Sequence, residues 1–425
     1  MRVKESTAMA DTEAPAQSPE VIRIHIPLRA LTSDRGVAIL LGAAALLVYL
    51  GLSWDTATPF SYFGFTARAI WQGHLWIDGA PLSEIERGVD GHLYNVQPPL
   101  PILLMLPVAL LGRPGQIDVF VSALFGALSI VPLYLALRAL DVPRGLAVWC
   151  ALLSSFGTTL LYTSIDGRSW FAAQAGAVFF ASLALYLAAS RRSAVIIGLA
   201  IGAAALGRTP VVLALPGLLL LARHDRTSWR ELPRAALLAA VGGLPFALLQ
   251  AGYDLLRWGN PFDIYGPQLH QANDPVLSSG FLSLAYLPRK IYAIFFEAPR
   301  FAEGSFFFLR PRSYGMSLLF STPAFLWLAP AVTFLWSDPR WRAIGLAAAL
   351  VAIPGLLFAT VGYEQYGYRY SLDCQPFLVA LVAVGAAWSR GGWRRESPVF
   401  AAAVILSIAV TFYVFAAIRS FGFAP

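Results

Sequence analysis

Five carboxylates, Asp55, Asp78, Glu84, Glu86 and Asp90, crowd the stretch from Trp54 to Leu103 of a chain in which only 13% of residues are charged. His74 and His92 lie in the same stretch. Trp54, Phe60, Tyr62, Phe63, Phe65 and Trp71 lead into it, and Pro98, Pro99 and Pro101 close it. A carboxylate held among aromatic rings is poorly hydrated, which raises its proton affinity and suits it to take a proton from a hydroxyl. A polar connection of about fifty residues is far longer than two membrane helices need, and long ordered connections tend to carry function.

Other polar groups stand out against apolar surroundings. They are Asp166 and Arg168 in "SIDGRSW", Arg208 in "LGRTP", and the run from Glu364 to Asp373 in "GYEQYGYRYSLD", which holds Arg369 and Tyr370. Ionisable groups near membrane depth are expensive and are usually paired or functional. With Arg257, Arg289, Arg310 and Arg312 they form an arginine-rich set beside the carboxylates, and guanidinium forks suit phosphate. A base next to such a set fits a reaction on a lipid-linked phosphate.

Each residue also has a plainer reading. Asp55 can be a helix-end carboxylate in the head-group zone, and Asp78 and Asp90, each followed closely by glycine, can be turn residues. Tyr366, Tyr368 and Tyr370 can form an interfacial aromatic belt. Asp166 and Arg168 can simply pair with each other. His74 and His92 can bind a phosphate or a metal, or sit hydrogen-bonded in a loop; no metal-ligand spacing surrounds them, which favours the loop histidines.

The elements that must position these groups are membrane helices. Hydrophobic residues make up 57% of the 425, mean hydropathy is +0.63, and apolar runs long enough to cross about 30 Å of hydrocarbon recur along the chain. The net charge of +7 is therefore a topology signal, not a sign of nucleic-acid binding. Cys150 and Cys374 read as small core residues, and neither a disulfide nor a metal is expected of them. Residues 1–30 read as a polar, disordered cytoplasmic tail, and 31–425 as a single all-α membrane domain. Its first apolar run, at about 36–53, is a retained anchor.

Arg23, Arg29 and Arg35 flank that run and place the N-terminus in the cytoplasm by the positive-inside rule. About eleven transmembrane helices follow, with a first outer loop at 54–116 and a second outer excursion at 253–313. The segment from Tyr94 to Leu111 is short for a span and is assigned to the outer loop as a juxtamembrane helix. Taking it as a span would put Arg191 and Arg192 outside.

Taken together, the motifs resemble membrane glycosyltransferases of the GT-C class, above all the protein O-mannosyltransferases and the bacterial lipid A aminoarabinose transferase. The resemblance rests on the acidic residue just past span 1, "ARAIWQGHLWID", a Y-x-x-x-PPL close to the first loop, and "GYRYSLDCQP" before a late span. It implies an inverting transfer of a sugar from a polyprenyl-phosphate donor to a glycan, lipid or protein acceptor on the non-cytoplasmic face of a bacterial plasma membrane. Asp55 matches the catalytic base by position, with Asp78, Glu84, Glu86 and Asp90 in reserve. Arg369, Arg208, Arg168, Asp166, Tyr94, Glu364, Tyr370 and His74 are the expected substrate contacts, and no cofactor is expected. Gln97 stands where the aminoarabinose transferases carry a lysine. The alternatives are a transporter or flippase of a lipid-linked sugar, and a non-catalytic relative that retains the lipid groove. The chain shows neither the internal repeat nor the midplane polar residues usual in transporters.

Overall fold

The computed structural model describes residues 33–78, 85–223, 229–263, 279–301, 308–388 and 397–424. The expected N-terminal tail, Glu84 and much of the second excursion lie outside the described residues. The first helix, α1 (Asp34–Leu52), begins where Ser33 accepts a hydrogen bond from the amide of Gly36 at 3.0 Å, with Asp34 in the first turn. The first loop then holds α2 (Tyr62–Trp71), a two-stranded antiparallel hairpin of β1 (Ile85–Arg87) and β2 (Leu93–Asn95), and α3 (Leu100–Met105). A six-residue helix rises only about 9 Å, so the Tyr94–Leu111 segment does not cross as a helix. Phe63 and Ala67 of α2 pack with Ile102 and Met105 of α3 over Ala172 and Ala173, which anchors the loop on the helical body.

The body continues as α4 (Pro114–Leu128), α5 (Ile130–Ala139), α6 (Arg144–Phe156), α7 (Thr159–Asp166), α8 (Ser169–Ala189), α9 (Ala194–Gly207), α10 (Leu215–Ala222) and α11 (Leu232–Trp258). After the second excursion, with α12 (Leu287–Phe295), come α13 (Leu318–Ser321), α14 (Leu328–Phe334), α15 (Pro339–Leu357), α16 (Gln375–Trp388) and α17 (Pro398–Phe421). Among the described residues, seven helices are long and apolar enough to cross a membrane, α6 and α7 form an eighth candidate bent by 45°, and three shorter apolar helices complete the set. Together they occupy the eleven apolar runs of the sequence. The chain is an all-α, multi-pass membrane protein.

Several runs are broken rather than straight. The apolar run from Tyr314 to Trp336 contains α13, a 3-10 turn at Pro323–Trp327 and α14. Proline lacks the amide that an α-helix needs, so Pro323 starts a new helical segment. The α9–α10 connection is a 3-10 turn at Thr209–Ala214, again with a proline at its start. At that break Arg208 caps α9 in an extended conformation, its amide still donating to the Ala204 carbonyl at 2.9 Å. By contrast, α9 and α11 lie in close contact: a Cβ on Gly198 would fall 2.0 Å from the Ala239 carbonyl oxygen, and one on Gly242 2.0 Å from that of Val195. Small residues at a helix interface allow this approach.

Candidate active site

A cavity of about 530 Å³ opens where the end of the first loop, the start of α8, the α9–α10 turn, the end of α15 and the 3-10 turn Arg369–Cys374 meet. Its polar lining includes Gln97, Trp170, Arg208, Thr209, Thr360, Arg369, Tyr370 and Asp373. Its apolar lining includes Val212, Leu213, Leu282, Pro354 and Phe358. The two linings together suit a ligand with a charged head and a hydrocarbon tail.

Arg208 and Arg369, separate in sequence, face this one cavity. Arg208 directs its fork at Asp373, with Nε–Oδ1 at 2.8 Å and Nη2–Oδ2 at 2.7 Å, and Asp373 is only 4% exposed. The sequence shows that a charge in an apolar hairpin must have a partner; Asp373 is that partner. Arg369 is used differently. Its Nη1 donates to the Trp170 carbonyl at 3.0 Å and its guanidinium lies 5.3 Å from the ring centres of both Phe171 and Tyr370. Among the described residues it pairs with no carboxylate, and its Nε is buried without an acceptor. A cation in that state attracts an anion strongly.

Lys290 of α12 stands behind the same wall, a contributor the sequence did not mark. Its ammonium is buried, donates to the Thr360 carbonyl, and lies 5.1 Å from the Tyr370 ring centre. The Tyr370 and Thr360 hydroxyls bond each other at 3.0 Å across the front of it. Burial, reinforced by the nearby Arg289 and Arg369, pushes its pKa down to about 7.

Asp166, Arg168 and Glu364 form a neighbouring cluster. Arg168 bonds Asp166 at 3.0 Å and also bonds Glu364, which sits in a left-handed backbone conformation at φ 46°. The Arg168 guanidinium stacks over Phe60 and Trp170 at 5.6 and 5.7 Å. Trp170 thus links this cluster to the cavity, whereas Asp166, Arg168 and Glu364 do not line it.

The remaining first-loop candidates lie elsewhere. Asp55 is exposed, in a left-handed turn at φ 55° past α1, and is not part of the cavity lining. The rings expected to desolvate it are otherwise engaged: Tyr62 and Phe63 are buried in the core, Phe60 covers Arg168, and Trp54 is 81% exposed. Tyr94 is buried in β2 and donates to Asp90 at 2.6 Å, away from the cavity. His74 stacks on Trp76 with ring centres 4.2 Å apart, and Trp76 stacks on His92 at the same distance. His92 in turn bonds Asp78 at 2.8 Å. The bond from His92 and an amide from Leu93 hold Asp78 below the usual carboxylate range, and the Tyr94 hydroxyl does the same for Asp90. Both are therefore weakened as bases. Glu86 is buried in β1. Among the described residues, no three His, Cys, Asp or Glu side chains converge to hold a metal ion.

No family model matches the sequence, and no curated protein matches it. Two solved structures do. The protein O-mannosyltransferase complex of S. cerevisiae bound to the sugar donor is similar over 61% of this chain and 38% of its own, at 19% identity and a TM-score of 0.37, too low to carry an argument. ArnT from Cupriavidus metallidurans, solved bound to undecaprenyl phosphate, is similar over 89% of this chain at 16% identity and a TM-score of 0.50. The chain spans 64% of ArnT's length, just under two thirds. At that identity the likeness establishes fold alone: across most of its length, this chain has the membrane fold of ArnT.

Proposed function

We propose that the chain is a membrane glycosyltransferase that takes a sugar from a polyprenyl-phosphate donor bound in the 530 Å³ cavity. The observation that carries this reading is Arg369, a cation with no carboxylate partner among the described residues, on the wall of a cavity whose other face is apolar. The donor phosphate rests against Arg369 and the Arg208–Asp373 pair, and the prenyl tail follows Val212, Leu213 and Phe358. The fold's likeness to ArnT, solved with undecaprenyl phosphate, supports the assignment.

The reaction is a single inverting displacement. An acceptor hydroxyl loses its proton to a carboxylate, its oxygen bonds the anomeric carbon, and the carbon–phosphate oxygen bond breaks to release polyprenyl phosphate. Phosphate is a good leaving group, so one base suffices and the arginines take up the developing charge. Asp55 fills the role of base as the first ionisable residue past α1; catalytic hydrogen bonds often tighten only in the loaded complex. Asp166 is the second candidate, because its partner Arg168 is one side-chain layer from the cavity through Trp170. By the positive-inside rule the cavity faces the non-cytoplasmic side. The acceptor is a glycan, lipid or protein.

Titrating the purified protein with a polyprenyl phosphate tests this reading. Loss of a charge-assisted contact costs about 1.5–3 kcal/mol, so Arg369→Gln should weaken binding roughly ten- to a hundredfold. Unchanged binding by that variant would sink the proposal.

A further inference from the structure

Helix α9 has an arginine-lined cavity at each end. Its C-terminal end delivers Arg208 to the candidate active site. Its N-terminal end opens on a second cavity of about 240 Å³, lined by Arg191, Arg192 and Arg223, by Glu231, and by apolar residues that include Ile197 and Leu219. A fourteen-residue helix rises about 20 Å, so the two cavities lie on opposite sides of an apolar belt.

This second cavity has a basic rim and a greasy floor. Arg191 and Arg192 are exposed, whereas Ile197 and Leu219 are buried. Among the described residues, three guanidinium groups and one carboxylate line this cavity, and Glu231 takes up Arg223 at 2.6 Å. The helices that frame it are apolar on their outer surface: α9 exposes Ile196 and Leu199, and α11 exposes Leu237, Val241 and Leu244. Hydrocarbon chains laid against these residues would bring an attached head group to the rim. A basic pocket between membrane helices is how phosphate-bearing lipid head groups are held.

We propose that the cavity at Arg191, Arg192 and Arg223 binds the head group of an anionic phospholipid, in the leaflet opposite the candidate active site. The site is independent of glycosyl transfer and stands or falls on lipid binding alone.

The test uses the full chain in dodecyl maltoside micelles, with bound lipid counted by native mass spectrometry and stability followed as Tm. Phosphatidylglycerol should bind one per chain and raise Tm, and phosphatidylcholine should do neither. Each arginine near the surface contributes about fivefold in affinity, so Arg191→Gln with Arg192→Gln should weaken phosphatidylglycerol binding about 25-fold. Arg342→Gln is the control. Arg342 is exposed near the start of α15, whose other end reaches the active-site cavity, so it lies on the same face as Arg191. It should leave binding unchanged. Glu231→Gln should strengthen binding several-fold, which keeps the test decisive if the double variant does not fold. Three results would each overturn the proposal: equal losses in the double variant and Arg342→Gln, phosphatidylcholine binding as tightly, or inorganic phosphate displacing the lipid at equal concentration.

Discussion

Replacing Lys290 with methionine keeps the bulk of the side chain behind Tyr370 and removes its charge. Lys290 is buried, bonds the Thr360 carbonyl, and has no carboxylate partner among the described residues, while Arg289 and Arg369 repel it. With its pKa pushed down to about 7, it is half charged near neutrality. A phosphate on the far side of Tyr370 would lie about 8 Å from it, and at an effective dielectric near 20 the attraction is about 2 kcal/mol, or roughly 30-fold in affinity. The same energy raises the lysine pKa by about 1.5 in the loaded state. The complex then holds more protons than the free protein between pH of about 7 and 8.5, so affinity falls as pH rises through that window. A prenyl phosphodiester carries one negative charge throughout that window, whereas a monoester, with its second ionisation near 6, carries nearly two.

Titration of wild type with a short-chain prenyl phosphodiester from pH 7 to 9.5 should show about a 15-fold loss that then levels off, half of the full effect because the lysine is already half discharged at pH 7. Lys290→Met should be flat, at the wild type's high-pH affinity. Stability provides an independent check. The unfolded lysine keeps its proton to about 10.5, whereas the folded one releases it near 7. The unfavourable contribution is therefore full below pH 7 and fades as pH rises to about 10.5, so the variant's Tm advantage should be greatest at and below neutrality. A variant with the wild-type pH slope in binding would refute the electrostatic argument.

Three further outcomes are expected. Arg369→Lys should bind polyprenyl phosphate more weakly than wild type but better than Arg369→Gln, because charge is kept and the planar fork is lost; parity with wild type in titration would remove the fork from the mechanism. Asp55→Asn should preserve polyprenyl-phosphate binding and lower turnover by 10²–10⁴-fold if Asp55 is the base; near-normal transfer, with the loss appearing in Asp166→Asn instead, would move the role. Asp254→Asn should destabilise the protein by about 3–5 kcal/mol, since it leaves Arg257 charged and buried, and an unchanged Tm would show that the pair contributes nothing.

The apolar runs made the helical membrane architecture legible, because a water-soluble core does not call for uninterrupted apolar helices of spanning length, repeated along the whole chain. The arginines were legible for a related reason: Arg208 interrupts an apolar hairpin and Arg369 sits among tyrosines, so each charge stands where water is scarce and a partner is required. Their partners were not legible. Arg208 meets Asp373 across 165 residues, and no local pattern marks that pairing. Lys290 looked like one basic residue in an outer excursion until α12 folded it against Tyr370. The environment expected for Asp55 failed on packing, since neighbours in sequence such as Tyr62 and Phe63 turn into the core of the first loop. Side-chain adjacency along an irregular segment says little about adjacency in space.

At 27 residues, α11 is about 40 Å long, longer than the hydrocarbon of an ordinary bilayer is thick. It must tilt or protrude. Its C-terminal turn is also where the first loop is fastened: Arg257 bonds the Asn95 carbonyl, and the Val89 amide donates to the Arg257 carbonyl at 3.0 Å. The hairpin is therefore mounted on a strut whose inclination is held by its close packing on α9. A bilayer of unmatched thickness must deform around α11, at fractions of a kcal/mol per Å, instead of tilting it freely. The hairpin, and Gln97 beside it, then keep their height above the helical body while the lipid adjusts to them.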